Sequence, residues 1–100
     1  NISTATTTQI VALSGSTQIY VTGIAIVAGG TGNVTIVYGT GSACGTGTTS
    51  ISGAMPLVAN SGFALGSGLG PVIVLPAGQA LCITTSAAVQ MSGFVTYTQF

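Results

Sequence analysis

No Lys, Arg, Asp, Glu or His occurs anywhere in the 100 residues, whereas about one residue in four is charged in an ordinary soluble chain. Each missing type removes a class of function. Without basic side chains the chain cannot bind nucleic acid by neutralising phosphates and releasing counterions. Nor can it lie on an anionic membrane through a basic face. Without carboxylates there is no cage for Ca²⁺ or Mg²⁺, and without His most zinc geometries are lost. General acid–base catalysis loses His, Glu, Asp and Lys together, so the many hydroxyls have no neighbouring base to activate them. The expectation is a non-enzymatic protein with no cofactor, no metal, and neither nucleic acid nor membrane as a partner.

Long apolar runs are also missing. The longest mostly apolar stretch, 19–30, is interrupted by Thr22 and Gly23 and is too short to span a bilayer. A transmembrane barrel of eight strands of about 9–11 residues would consume nearly the whole chain. Six aromatics would make thin interfacial girdles. There is no basic leader region, and a chain beginning at Asn1 reads as a processed product or a piece of a longer polypeptide.

What is present is β-forming. Sixteen Gly, sixteen Thr and ten Ser stand beside only three Pro, with 47% hydrophobic residues; this reads as short strands joined by tight turns. No segment has a helical period. Residues 9–13 form a short β-prone run ending at the turn 14–16, and 17–27 a long strand. Strict alternation puts Ile19, Val21, Ala25 and Val27 on one face of that strand and Tyr20, Thr22, Ile24 and Ile26 on the other. Both faces are then apolar, as in a mid-sheet strand, and Gly23 marks a candidate bulge. Residues 33–38 alternate cleanly and are expected to form a hairpin with 17–27 across the Gly-rich turn 28–32. Residues 39–49 (GTGSACGTGTT) read as an ordered loop pinned by Cys44. Residues 50–59 read as a strand demoted to an edge by Pro56, and 60–70 as a second Gly-rich loop. Strands at 72–75, 80–85 and 89–100 follow, the last with Val89, Met91, Val95 and Tyr97 on one face. Seven or eight short strands at this spacing predict a single antiparallel β-sandwich over 1–100, jelly-roll or immunoglobulin-like. Residues 1–8 are an edge strand, an arm or an exchanged strand.

Cys44 and Cys82 are the only cysteines. An even count suggests one disulfide joining the first Gly-rich loop to the strand 80–85, the other reading being two free thiols. Two thiolates do not fill zinc's four positions. GTGSACGTG lacks the register, the Lys and the helix of a phosphate-binding loop, so it reads as a turn-rich loop. Asn1-Ile2-Ser3 and Asn33-Val34-Thr35 match the glycosylation acceptor pattern, which arises readily by chance in a Thr-rich chain. The six aromatics could form a sugar-stacking platform. Core and interface packing is the simpler reading, because only three Asn and no charged groups are available to bind hydroxyls.

A neutral surface promotes association. Identical uncharged copies meet without burying ions, and no side chain titrates between about pH 4 and pH 8. The chain therefore reads as an assembly subunit, its partners being copies of itself. The candidate interface residues are Ile2, Phe63, Leu65, Leu69 and Phe100.

The runs QIYVTG (18–23), VYGTGSACGTGTTSISGA (37–54), GSGLGPVIVLPAGQALCITTSAAVQMSG (66–93) and YTQF (97–100) resemble a family of small β-rich proteins of bacteriophage genomes and prophage regions. The resemblance covers most of the chain. It implies a virion structural or head-decoration protein at the virion surface, with other virion proteins as further partners and with Cys44 paired to Cys82. Members of that family carry a further Cys near the N-terminus or before Ile/Tyr-rich strands, where this chain has Thr22. Two rival expectations remain: a subunit of an extracellular or cell-surface filament joined by donated strands, and a carbohydrate-binding tip domain of a fibre or adhesin.

Overall fold

The computed structural model describes residues 1–66 and 70–100. Along them run β1 (Thr7–Val11), β2 (Ile19–Ala28), β3 (Gly32–Thr40), β4 (Thr46–Ser50), β5 (Met55–Leu57), β6 (Gly62–Leu65), β7 (Ile73–Val74), β8 (Ala80–Thr85) and β9 (Met91–Gln99). The all-β expectation holds, with nine strands among the described residues rather than seven or eight. They form two antiparallel sheets. In the first, β8 lies between β1 and β3, and β4 and β5 share the far edge of β3. In the second, β2 is central, with β9 along one side and β6 and β7 in succession along the other.

The core fills the space between the sheets. Ile19, Val21, Ile24 and Ile26 of β2 meet Val34 and Ile36 of β3 and Leu81 and Ile83 of β8. Strict alternation along β2 had separated Val21 from Ile24, and a bulge reunites them. The pairing steps from Val21↔Tyr97 to Gly23↔Thr96, so β2 carries one extra residue at Thr22 and its pleat slips by one. Ile24 and Ile26 therefore turn inward, while Val27 is exposed. Both faces of the long strand carry apolar residues, as the sequence suggested, but only one of them is buried. The strand buried on both faces is β8, which sends Leu81 and Ile83 into the main core and Ala80 and Cys82 into a smaller cluster behind the first sheet.

The expected hairpin between 17–27 and 33–38 does not form. β2 and β3 belong to different sheets, and the chain crosses between them at 29–31, where Gly30 packs against the Val89 side chain. Each strand has one face of large aliphatic side chains, Ile19, Val21, Ile24 and Ile26 on β2 and Val34 and Ile36 on β3, so stacking the two strands across the sandwich buries these faces against each other. The two Gly-rich loops are also shorter than expected. β3 continues to Thr40, a tight turn spans Ser42–Cys44, and Thr46–Ser50 returns as β4. The turn is left-handed at Gly41, Ala43 and Cys44 (φ 77°, 49° and 57°). In the second loop Gly62–Leu65 forms β6, because Gly62 can approach the Ile26 carbonyl where a Cβ would overlap it. Between 50 and 59 only Met55–Leu57 beyond Ser50 is strand.

Candidate functional site

Cys44 and Cys82 form a disulfide, with Cα atoms 6.4 Å apart. Cys44 sits in the tight turn after β3. Cys82 projects from β8 away from the main core, paired across to Val37. With Ala80 they make a buried cluster on which Leu13 packs. The part of the first sheet's outer face around Val37 and Cys82 is thus covered by the chain's own turn. A disulfide between two fully buried cysteines is consistent with a protein that works outside the cytoplasm. No helix among the described residues is long and apolar enough to cross a membrane.

Among the described residues nothing covers the outer face of the second sheet in this way. The pairings place Ala25, Ala64 and Phe94 in one row across it and Tyr20, Val74 and Thr98 in another. Phe94 is 65% exposed, and Val27 and Val74 are also exposed. Phe100 is 71% exposed even though its ring stacks on Tyr20, centroids 4.9 Å apart. A hollow of about 170 Å³ lies beside Phe94, lined by Ala25, Ala64, Leu65 and Thr96.

β9 forms the free flank of this sheet. Its hydrogen bonding can be read from both ends. Phe100 exchanges backbone bonds with Gln18 (3.0 and 3.1 Å), and the Gly29 N–H donates to the Gln90 carbonyl at 2.6 Å. Even-numbered residues of β9 therefore face β2, and odd-numbered ones face outward. Met91, the first outward residue, exchanges bonds with Ile2 at 2.7 and 2.8 Å. Gly93, Val95, Tyr97 and Gln99 follow with no strand beside them among the described residues. An apolar cavity of about 180 Å³ opens on the same flank, between β9 and β1, lined by Ile2, Ile10, Ile26, Ile83, Met91 and Val95 among others.

The five candidate interface residues do not form one patch. Ile2 is buried at the bridge to Met91. Phe63 is half-buried against the main core. Leu65 is 46% exposed at the end of β6, Phe100 lies on the outer face, and Leu69 lies outside the described residues. The N-terminal segment lies on its own domain, held by Ile2 and by the buried Thr85 hydroxyl, which donates to the Thr4 and Thr6 carbonyls (2.7 and 3.2 Å). Tyr20 and Tyr38 do not share a platform, since Tyr38 packs on the main core. Phe94 and the β9 edge were not singled out from sequence. Their signal was the alternation in 89–100, which turns Phe94 away from the inward set.

Among the described residues no cluster of metal-ligating side chains occurs, and every buried side-chain nitrogen or oxygen has a partner. The distinctive surface is instead an uncharged sheet edge beside an apolar face. Comparison with protein-family models, curated proteins and solved structures found no match.

Proposed function

We propose that this chain is a non-enzymatic structural subunit that assembles with copies of itself, as a surface or head-decoration protein of a bacteriophage particle. The observation that carries self-assembly is the free edge of β9 from Gly93 to Gln99, beyond the Ile2 bridge at Met91, without a charge or a proline. Natural proteins usually guard such edges with Lys, Pro or a covering segment. Here it adjoins exposed Phe94, Tyr97 and Phe100. Sheet edges and apolar patches of this kind are used for association. The non-enzymatic reading rests on side chains that offer no general acid or base of the usual types. The placement on a phage particle rests on the resemblance of the runs 37–54 and 66–93.

One observation favours a second reading, the filament subunit with a donated strand. Ile2 already bridges Met91, so the N-terminal segment of one copy could be laid along the β9 of the next.

Negative-stain electron microscopy with mass measurement tests both. Closed oligomers, or copies bound to capsids, are expected for a decoration protein. Open filaments of regular width that vanish on deletion of 1–13 would favour the second reading. A stable monomer at high concentration would overturn self-assembly.

A further inference from the structure

We infer that two copies of this chain pair through β9, antiparallel about a two-fold axis at Thr96, so that their second sheets join into one continuous sheet. This deepens the self-assembly reading and rests on it. The register follows from which groups are free. Ile2 occupies the outward groups of Met91, leaving Gly93, Val95, Tyr97 and Gln99, a stretch centred on Thr96. Two identical antiparallel stretches overlap fully only when they are centred on the same residue. Centring on Thr96 sets Gly93 opposite the partner's Gln99 and Val95 opposite the partner's Tyr97. Every facing residue then points its N–H and C=O at the other strand, giving about eight new ladder bonds.

The side chains agree with this register. Val95 and Tyr97 lie on the inner face, paired across β2 with Ile24 and Val21, and would make two aromatic–β-branched cross-strand pairs. Gly93 has no inward side chain and stands opposite Gln99, whose side-chain amide donates to the Ala12 carbonyl of its own chain at 2.9 Å. On the outer face Phe94 meets the partner's Thr98, and Thr96 meets its own copy. A partner carrying charge at this edge would have it desolvated without a counter-ion, because the chain has no ionic side chain to offer. A second copy brings none.

Cysteine scanning tests the pairing. Thr96 is exposed and in this register is a non-hydrogen-bonded self-pair, with Cα atoms about 4.5 Å apart, within disulfide reach. Thr96→Cys is expected to give a covalent dimer under mild oxidation, and Thr98→Cys, which faces the partner's Phe94, is expected to pair without cross-linking. Tyr97→Pro removes an outward N–H while sparing the bonds to β2, and should weaken dimerisation about tenfold or more without changing the circular dichroism spectrum. Equal cross-linking of both cysteine variants would overturn the register. Wild-type assembly with no Thr96→Cys cross-link and no effect of Tyr97→Pro would overturn the β9 pairing while self-assembly stood. A wild-type chain that stays monomeric at all concentrations, with Thr96→Cys uncrosslinked, would overturn both.

Discussion

The ring of Phe100 lies nearly parallel to that of Tyr20, 4.9 Å between centroids and 19° between planes, beside the exchanged backbone bonds of Phe100 and Gln18. The Tyr20 hydroxyl donates to Gln18 Oε1 at 2.9 Å, and the Gln18 amide donates to the Leu75 carbonyl at 3.1 Å. The end of β9 is thereby tied to the start of β2 and to the segment after β7. The stack leaves one face of Phe100 to solvent, on the same outer surface as Phe94 and Val74.

The bulge in β2 makes two neighbouring aliphatic residues unequal. Ile24 is 3% exposed and Val27 is 53% exposed. Ile24→Ala should cost about 2–5 kcal/mol, and Val27→Ala should stay within about 0.5 kcal/mol. Chemical denaturation of both variants checks the difference, and equal costs would contradict the slipped pleat.

Gly93 is held by contact rather than by dihedral angle. A Cβ there would overlap the Ala25 carbonyl oxygen, whereas one at Gly53 would meet nothing within 4 Å. Gly93→Ala should therefore destabilise by about 1–3 kcal/mol. Gly53→Ala should be neutral or stabilise by up to about 1 kcal/mol through the unfolded chain. Thermal melts of the pair give the comparison.

The disulfide closes a long loop, with a sequence separation of 38. Cys44→Ala combined with Cys82→Ala should cost about 4 kcal/mol on the chain-entropy account. For a domain of this size that lowers Tm by roughly 15–30 °C. Calorimetry on the double variant measures it. The loss should be largest around the left-handed turn at Ala43 and Cys44, which hydrogen exchange would reveal as earlier opening.

With no ionisable side chain among Asp, Glu, His, Lys and Arg, folding has almost no proton linkage across mid-pH. The slope of stability against pH follows the difference in protons bound by the unfolded and native states, which is close to zero here. Stability and assembly should change by less than about 0.5 kcal/mol between pH 4.5 and pH 7.5. They should also show no weakening on addition of salt, since there are no surface ion pairs to screen. A steep dependence on either would point to a partner that brings its own charges.

Composition and local pattern were enough to determine the all-β class and the shared face of Met91, Val95 and Tyr97 in the terminal strand, because these depend on residue type and a period of two. The even cysteine count left one disulfide and two free thiols both open, and the structure decided for the disulfide. The tertiary structure decided what depends on non-local contacts. Strict alternation along β2 gave the wrong faces after Thr22, since a bulge is defined by the partner strand and Gly23 could only hint at it. The chain 28–32 resembled a hairpin turn, yet whether two strands pair edge to edge or stack face to face depends on which edges β6, β7, β8 and β9 claim. The candidate surface divided in the same way. Sequence pointed to assembly because the charges are missing. Which residues remain exposed was settled by cover: the Cys44 turn closes over Val37 and Cys82 of the first sheet, and none of the described residues closes over Phe94, Tyr97 and the outward edge of β9.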